Sequence, residues 1–262
     1  METKIVFLDV DGTLVSFRTH RVPDSALEAL RRAHARGVRL FIATGRAVGD
    51  LEPVAAIPYD GVVGLNGADC VLRTGEVIAR HPIPQEAFER AMALSDELGF
   101  PVGLELDGGV YVNRMSPAVT ELAGQVAHPV PELTDLRELF ARTVCCQMCF
   151  YLDEALERRV MEQLPGLSTN RWSPLFTDVN VRGVDKASGI AAVTDYFGLS
   201  RDETMAFGDG GNDVVMLRAA GIGVAMGNGS AAAREAADYV TADIDDDGLR
   251  RALMHDHRHG EK

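Results

Sequence analysis

The sequence predicts an α/β protein built on a doubly wound parallel sheet, with an α+β segment inserted into it. Near both ends of the chain, short apolar stretches typical of buried strands alternate with helix patterns, an order that favours parallel pairing with helices on both faces of the sheet. From about Pro82 the strand patterns instead come in neighbouring pairs, as in antiparallel hairpins. We therefore expect a Rossmann-like core formed by residues 1–82 and 183–262 and an inserted α+β domain formed by residues 83–182.

Six short apolar runs are the predicted strands of the core, because each is bounded by turn residues and is too short for a helix. In chain order they are Lys4–Asp9, Val38–Thr44, Gly61–Leu65, Thr204–Gly208, Ile222–Ala225 and Tyr239–Thr241. A hairpin is predicted within residues 66–81, with its turn near Thr74-Gly75. Ligands of open parallel sheets bind outside the carboxyl ends of the strands, so the residues that follow the strands are the ones to examine.

The helix pattern between the first two strands is the clearest in the core. Leu27 and Leu30 lie on its apolar face. Ser25 and Glu28 fit a capping box at its start, and Gly37 is a typical stop signal. Further core helices are predicted as a short one after the second strand, over 185–198, over 212–220, from about 230 and after the last strand.

The cap segment mixes helix and strand patterns. Helices are predicted at Gln85–Leu98, near 116–124, near 132–140 and at Glu154–Leu164, and strands around Gly108-Gly109, in the segment VCCQMCFYL and near 167–181. That cysteine-rich segment contains a CxxC pair, Cys146 and Cys149, so a metal or redox site is one interpretation. Because the run is apolar and β-branched and lacks a second Cys/His pair at ligand spacing, structural cysteines in a reducing compartment are the favoured interpretation.

The composition limits the classes of function. The 262 residues are 46% hydrophobic and 25% charged, and no apolar run approaches the roughly 18 residues that span a bilayer. The first ten residues resemble a strand that contains an acid rather than a signal peptide. A net charge of −13 argues against a nucleic-acid partner, which would require a basic face. We expect a cytoplasmic protein, a monomer or weak homo-oligomer, with neither nucleic acid nor membrane as a partner.

Acidic residues follow two of the predicted strands at the edge where ligands bind. Asp9 and Asp11 close the first strand, and Asp209 and Asp213 follow the strand TMAFG. Four carboxylates gathered there would raise one another's pKa values unless a cation balances them. Oxygen ligands favour Mg²⁺, which is usually held by one or two carboxylates, waters and a substrate phosphate. A divalent cation is therefore expected near Asp9 and Asp11.

The spacing of Asp9 and Asp11 allows a division of labour between them. Residues i and i+2 of an extended strand point to the same side. One carboxylate can then attack phosphorus while the other handles the proton of the leaving oxygen. Gly12 allows the chain to turn sharply, and neighbouring N–H groups can face an anion. The pair is therefore suited to phosphoryl transfer.

Four motifs in the chain resemble those of the haloacid dehalogenase (HAD) superfamily in order and spacing. They are DVDGT at 9–13, TGR at 44–46, GVDK at 183–186 and GDGGND at 208–213. The insertion between the second and third motifs resembles the type IIB cap of the Cof-type subfamily. Further Cof-like fragments are Leu65–Ala68, Gly223–Asn228 and Ala237–Thr241. The resemblance covers almost the whole core.

The resemblance implies a role for each motif residue. Asp9 would be the nucleophile that forms an aspartyl-phosphate, and Asp11 the general acid and then the general base. Thr44 and Gly45 would hold the phosphoryl oxygens, and Asn212 would help to position the phosphate. The implied sets are Asp9, Asp11, Lys186 and Asp213 for catalysis; Val10, Thr44, Gly45, Arg46, Lys186 and Asn212 for substrate binding; and Asp9, Asp11 (through its backbone carbonyl) and Asp209 for the metal.

The resemblance implies a Mg²⁺-dependent phosphatase, that is, a phosphoric monoester hydrolase. Its substrate would be a small phosphorylated metabolite, with a sugar phosphate as the first candidate. A phosphomutase and a binding protein for phosphorylated metabolites are the open alternatives on this fold. A dehalogenase is disfavoured because such members lack an acid at the position of Asp11. A signalling receiver domain shares the acidic pocket but has no large insertion.

Seven cap residues are candidates for contacting the leaving group: Glu105, Asp107, Tyr111, Asn113, Arg114, Trp172 and Asn180. Each can equally belong to a solvated face or to core packing. At the end of the chain, His255, His257 and His259 could bind a metal, but a disordered end without function is the favoured interpretation.

Overall fold

The computed structural model describes residues 2–125 and 128–254. Two compact units divide the chain: a core unit, up to Ala79 and from Asp185 onward, and an inserted unit, Arg80–Val184. The core unit contains a largely parallel sheet with helices, and the inserted unit is α+β, so the predicted fold class is confirmed. The three histidines considered as metal ligands, at 255, 257 and 259, lie outside the described residues.

The strands and helices of the two units are numbered together in chain order. The strands are β1 (Ile5–Leu8), β2 (Arg39–Ala43), β3 (Gly61–Gly64), β4 (Asp69–Leu72), β5 (Val77–Arg80), β6 (Val102–Leu106), β7 (Gly109–Val112), β8 (Glu132–Leu133), β9 (Gln147–Phe150), β10 (Leu167–Ser173), β11 (Phe176–Val181), β12 (Thr204–Gly208), β13 (Ile222–Ala225) and β14 (Tyr239–Val240). The helices are α1 (Asp24–Ala35), α2 (Gln85–Leu98), α3 (Pro117–Gln125), α4 (Leu136–Arg142), α5 (Glu154–Met161), α6 (Lys186–Tyr196), α7 (Val214–Ala219), α8 (Ala231–Ala236) and α9 (Gly248–Met254). Within the described residues, no helix combines the length and the apolar character that crossing a bilayer requires.

The core unit holds an eight-stranded sheet in the order β14-β13-β12-β1-β2-β3-β4-β5. β1 pairs in parallel with β12 on one side and with β2 on the other, and β3, β13 and β14 continue the parallel arrangement. Leu8, the last residue of β1, is in register with Phe207 and Ile42. The segments that follow β1, β2 and β12 therefore leave the sheet at the same edge.

β1 is apolar along its whole length because both of its faces are covered. Leu8 packs in one apolar cluster with Leu30 of α1, and Phe7 packs in a second cluster with Ile190 of α6. Successive side chains of a strand point to opposite faces, so these two clusters enclose the sheet from both sides. This packing fixes the point at which the chain emerges as Asp9.

The capping box predicted at Ser25 and Glu28 is wrong. α1 begins at Asp24 with Pro23 as its N-cap residue, and no side chain caps it. Ser25 is therefore already inside the helix, where its hydroxyl cannot take the position of an N-cap side chain. Glu28 instead pairs with Arg32, one turn further along the helix.

Other predicted helices also differ in extent from the observed ones: the helix predicted at Glu154–Leu164 ends at Met161, and the one predicted over 212–220 is a 3-10 helix, Gly211–Asp213, followed by α7 at Val214–Ala219. The short helix after β2 is a three-residue 3-10 helix, Glu52–Val54. The helix predicted near 132–140 begins only at Leu136, because residues 132–133 form β8. α6 ends at Tyr196, two residues before Gly198, which adopts φ +64°. Helix ends are the least determined part of a sequence pattern, because the last turn has few hydrogen bonds to lose.

The inserted unit contains a six-stranded sheet in the order β10-β11-β9-β6-β7-β8. Its strands pair antiparallel except for β7 and β8. Phe88 of α2, Leu139 of α4 and Val160 of α5 pack with Met148 and Phe150 of β9 in one apolar cluster. This unit therefore has a hydrophobic core of its own.

The four cysteines are free thiols, and all are buried. Burial raises the pKa of Cys70 and of Cys145 to about 12. Such thiols stay protonated at neutral pH and are poor nucleophiles and poor metal ligands. This agrees with the structural interpretation of Cys70 and Cys145.

Gly189→Ala in α6 should destabilise the core unit, although alanine is the better helix former. A Cβ at Gly189 would lie 2.4 Å from Val63 Cγ1 and 3.0 Å from Gly67 Cα, so the helix would be pushed off the sheet. We expect a loss of roughly 1–3 kcal/mol in the free energy of unfolding, measured by urea denaturation with circular dichroism.

Gly124→Ala is the matched control, because Gly124 is also helical, in α3, and nothing lies within 4 Å of an added Cβ there. It should stabilise its own unit by about 0.5–1 kcal/mol. Stabilisation by both substitutions would show that the approach of α6 to β3 is not tight.

Candidate active site

Three strand ends bring the predicted site residues of the core unit to one edge of its sheet. β1 is followed by Asp9, whose backbone N–H continues the parallel ladder by donating to Phe207 O at 3.0 Å. β2 is followed by Thr44, and β12 by Asp209. All three side chains are at least nine-tenths buried. Their convergence follows from the parallel pairing of β1 with both neighbours.

A buried lysine joins two of the predicted acids. Lys186 Nζ donates to Asp9 Oδ1 at 2.6 Å and to Asp213 Oδ1 at 2.7 Å, and its side chain is 0% exposed. Burial by itself lowers the pKa of Lys186, but the carboxylates of Asp213 and Asp9 outweigh that effect and hold the pKa above its ordinary value. The ammonium group therefore remains charged between them.

The start of α6 positions this lysine. Asp185 is the N-cap residue, and its carboxylate accepts from Ser188 N at 2.8 Å while Ser188 Oγ accepts from Asp185 N at 2.9 Å. Such a reciprocal capping box fixes the first turn of a helix. Lys186 is the first residue of that turn, so the box determines where its side chain begins.

Asp213 organises the loop that follows β12. Its Oδ2 accepts from the N–H groups of Asp209 at 2.9 Å and Gly210 at 2.8 Å, while its Oδ1 is bound by Lys186. A Cβ at Gly208 would lie 2.5 Å from Asp213 Cβ, so the close return of the loop requires glycine. With both oxygens engaged, Asp213 acts as an anchor for Lys186 and for the loop.

Asp209 faces the turn after β1. Its Oδ1 accepts from Thr13 Oγ1 at 2.7 Å, and its Oδ2 would lie 2.3 Å from a Cβ at Gly12, where φ is +91°. Burial, helped by the Asp213 carboxylate, raises the pKa of Asp209 to about 6 despite the hydrogen bond from Thr13. Burial and negative neighbours therefore outweigh the positive charge of Lys186, which opposes the shift.

The residues present fit a bound divalent cation. Ligand atoms of Asp9, Asp209 and Asp213 all lie within 4.8 Å of one another. Burial and the Asp213 carboxylate also raise the pKa of Asp9, although Lys186 opposes the shift. Three carboxylates around one ammonium leave an excess of negative charge, which a hard cation with oxygen ligands would balance.

Asp11 does not join this cluster by any described side-chain contact; it pairs with an arginine. Arg46 Nε donates to Asp11 Oδ2 at 2.9 Å, and Arg46 Nη2 donates to Asp11 Oδ1 at 2.8 Å. The Asp11 side chain is 43% exposed, far more than Asp9. Arg46 also donates from Nη1 to Asp50 Oδ2 at 3.0 Å.

The predicted phosphate-binding residues lie around a second loop of the core unit. Thr44 Oγ1 accepts from Arg46 N at 3.1 Å, and Gly45 lies against the amide of Asn66. Asn212 Nδ2 donates to Asn66 Oδ1 at 3.2 Å, which links the segments after β3 and β12. The side chain of Val10 is fully buried in the apolar core, so only the backbone of Val10 is suited to contact an anion.

Sequence reasoning missed three residues that support the site. Asn66 has φ +55° and is 4% exposed, and a buried non-glycine residue in that conformation is unusual. Thr13 binds Asp209, and Asn228 Nδ2 donates to Gly12 O at 2.7 Å. Asn66 and Asn228 belong to fragments noted in the sequence, LNGA and GVAMGN, but their partners are distant in the chain and could not be inferred.

The cap candidates fall into two groups within the inserted unit. Asn113 and Arg114 have structural partners: Asn113 binds Val102 N and Ser95 Oγ at 2.9 Å each, and Arg114 pairs with Asp96 at 3.0 Å. Tyr111 packs against the apolar cluster of this unit, and Asp107 is exposed in the turn after β6.

The other group is a polar cluster on the sheet of the inserted unit. Glu105 accepts from Gln147 Nε2 at 2.7 Å, Asp178 accepts from Trp172 Nε1 at 3.3 Å, and Asn180 Nδ2 donates to Cys146 O at 3.1 Å. Ligand atoms of Glu105, Cys149 and Asp178 lie within 4.8 Å of one another. Burial and the carboxylates of Glu105 and Asp178 raise the pKa of Cys149, so the protonated thiol is a poor metal ligand there.

Replacing Asp209 by Asn should stabilise the metal-free protein at pH 7.5 by about 1–3 kcal/mol, because a buried charge becomes a neutral amide that can still accept from Thr13. The folded-state pKa of Asp209 is raised to about 6 from 3.8. The stability that the protonated carboxyl contributes is therefore complete below about pH 4 and is lost as the pH rises through 6. The gain of the variant should be small at pH 4 and complete above pH 6, as measured by urea unfolding.

Addition of Mg²⁺ should stabilise the wild type at pH 7.5 and should have little effect on Asp209→Asn. Asp195→Asn, at an exposed position of α6, is the matched control and should respond to Mg²⁺ as the wild type does. Equal stabilisation of all three proteins by Mg²⁺ would exclude Asp209 from the cation site.

Comparison with known proteins agrees with this geometry. The sequence model of the haloacid dehalogenase-like hydrolase family matches residues 6–253. A solved structure of a HAD-superfamily phosphatase from Bacteroides thetaiotaomicron superposes with a TM-score of 0.93 and is 53% identical, covering 97% of this chain and 95% of its own. A solved subclass IIB sugar phosphatase gives a TM-score of 0.86 at 39% identity, covering 97% and 98%. The HMP-PP phosphatase of Enterobacter sp. (strain 638) is 30% identical over 236 residues, 86% of this chain and 84% of its own.

These matches extend over nearly the whole chain, and the matched family region contains every strand end that carries a candidate residue. The motif resemblance noted in the sequence is thereby confirmed, including its Cof-type character. The chain belongs to the haloacid dehalogenase-like hydrolases, and it is a phosphatase of that family.

Proposed function

We propose that this phosphatase is Mg²⁺-dependent and hydrolyses a small phosphorylated metabolite, a sugar phosphate before others, through an aspartyl-phosphate formed on Asp9. The observation that carries the proposal is the buried contact of Lys186 with Asp9 and Asp213 beside Asp209. A buried ammonium that holds one oxygen of a carboxylate at 2.6 Å orients that carboxylate and supplies charge for an incoming phosphate. The metal would be held by Asp9, Asp209 and the backbone carbonyl of Asp11, and when bound it would neutralise phosphate charge.

The reaction would proceed in two halves on this chain's own groups. In the first half, a carboxylate oxygen of Asp9 forms a bond to phosphorus, the bond to the leaving oxygen breaks, and Asp11 gives that oxygen a proton. In the second half, water attacks the phosphorus while Asp11 takes a proton from it, and the bond to Asp9 breaks. Phosphate leaves, and both carboxyl groups return to their starting states.

The phosphate group would be held by the loops after β1, β2 and β12. The backbone of Val10 and Gly45, the hydroxyl of Thr44, and the side chains of Asn212 and Lys186 are the proposed ligands. Lys186 would serve both the nucleophile and the phosphate, because its ammonium group has three N–H donors and Asp9 and Asp213 use two of them. Arg46 was predicted as a further phosphate ligand.

The choice of a sugar phosphate is supported by the 39% identity with a subclass IIB sugar phosphatase. The match to an HMP-PP phosphatase keeps other phosphorylated metabolites as candidates. We also propose a cytoplasmic location, without nucleic acid or membrane partners, as a monomer or weak homo-oligomer.

Asp9→Asn should abolish turnover while leaving the fold intact, because the amide has a similar shape but is a poor nucleophile. Phosphate release should be measured on a panel of sugar phosphates, nucleotides, flavin mononucleotide and pyridoxal phosphate, with Mg²⁺ and with chelator. We expect kcat to fall by roughly 10³-fold or more in the variant, and to fall reversibly with chelator in the wild type.

Asp195→Asn is again the control for an Asp-to-Asn change of the same size, and circular dichroism shows whether Asp9→Asn is folded. Wild-type rates in Asp9→Asn would refute the covalent mechanism, and unchanged activity with chelator would refute the requirement for a metal. Phosphate transfer between two positions of one sugar, without release, would instead identify a mutase.

A further inference from the structure

The contact between Arg46 and Asp11 is a two-point ion pair of the core unit to which the proposed reaction gives no role. The guanidinium presents two parallel N–H groups to the two carboxylate oxygens, at 2.8 and 2.9 Å. Paired hydrogen bonds of this kind fix the plane as well as the position of a carboxylate, since the planar fork of arginine matches it. The Arg46 side chain is 18% exposed, so it is packed rather than free in solvent.

The guanidinium is itself held in place. Its third nitrogen, Nη1, donates to Asp50 Oδ2 at 3.0 Å, four residues further along the chain. The backbone N–H of Arg46 donates to Thr44 Oγ1 at 3.1 Å, which ties the residue to the end of β2. Rotation of the guanidinium toward another ligand would break contacts with both carboxylates. Asp50, Arg46 and Asp11 therefore form a chain of fixed orientation.

We propose that Arg46, oriented by Asp50, is a positioning residue that directs the Asp11 carboxyl group toward the leaving oxygen, and that it is not a ligand of the phosphoryl group. This inference rests on the proposed function, in which Asp11 exchanges the proton. It replaces the prediction that Arg46 binds substrate directly.

The hydrogen bonds between Arg46 and Asp11 change as Asp11 loses and regains its proton. While Asp11 carries the proton on one oxygen, only the other oxygen can accept from Arg46, and the O–H is available to the leaving oxygen. As the bond from phosphorus to that oxygen breaks, the oxygen takes the electron pair and the proton, and Asp11 becomes a carboxylate with both oxygens facing Arg46. In the second half, Asp11 regains a proton from the attacking water and one of the two contacts is given up.

A leaving group that needs no proton should make Arg46 unimportant in the first half of the reaction. That half is read from kcat/KM, which excludes hydrolysis of the aspartyl-phosphate, where Asp11 serves as base whatever the leaving group. We expect Arg46→Met to lower kcat/KM on an alkyl phosphate, such as a hexose phosphate that the wild type hydrolyses, by roughly 10²-fold. The loss of kcat/KM on p-nitrophenyl phosphate, whose phenolate leaves without a proton, should be at least about ten times smaller. The inhibition constant of inorganic phosphate should change by less than about threefold, because phosphate binding is untouched.

Three further single variants and one double variant extend the test. Asp11→Asn should show the same dependence on the leaving group, and adding Arg46→Met to it should cause no further loss, because Arg46 acts through Asp11. Asp50→Asn should reproduce the pattern in weaker form. Arg46→Lys should not restore the alkyl phosphate rate, because one ammonium cannot bind both oxygens.

Equal losses of kcat/KM on the two substrates, weaker binding of inorganic phosphate in Arg46→Met, or additive losses of kcat/KM in the double variant would overturn the inference and support a phosphate ligand. These results are separable from failure of the proposed function. Activity that survives Asp9→Asn would refute the covalent mechanism itself, and a loss of kcat/KM in Asp11→Asn that is equal for the two substrates would refute proton transfer from Asp11 to the leaving oxygen. Thermal unfolding of each variant identifies any loss that comes from misfolding.

Discussion

The buried ammonium of Lys186 is the interaction on which the site depends. Asp9 and Asp213 are carboxylates removed from water, and each would be strongly disfavoured as an ion without a positive partner. By holding both, Lys186 favours the charged form of the candidate nucleophile and fixes one of its oxygens. Asp213 in turn fixes the loop after β12, because its other oxygen accepts hydrogen bonds from the backbone N–H groups of Asp209 and Gly210.

Much of the fold and of the site could be predicted from the sequence because these features are local patterns. The strands of the core unit are short apolar runs bounded by polar or turn-forming residues, as the sequence around β1 and β12 shows. Once parallel pairing is inferred, Asp9, Thr44 and Asp209 must meet at one edge, whatever the details of packing. The motif order added the role of Lys186, which no single pattern would have distinguished from a solvated lysine.

The remaining features depend on partners that are distant in the chain. Ser25 fits a capping pattern, but α1 begins one residue earlier, at Asp24, so that Pro23 is its N-cap residue. Asn66 and Thr13 matter because of what they touch across the sheet edge, and such contacts have no local signature. Arg46 was recognised as part of a motif, yet its two-point pairing with Asp11 is a matter of side-chain geometry.

The position of Asp185 has a consequence for how this protein can change over evolution. It is the first residue of the returning core unit and also the N-cap of the helix that carries Lys186. The inserted unit begins at the end of β5, the edge strand of the core sheet, so neither junction interrupts β1, β2 or β12. Insertions at such edges are tolerated because few core contacts cross them. One lineage can therefore exchange its inserted unit for another and inherit the phosphoryl-transfer machinery unchanged, provided that the new segment delivers the chain to Asp185.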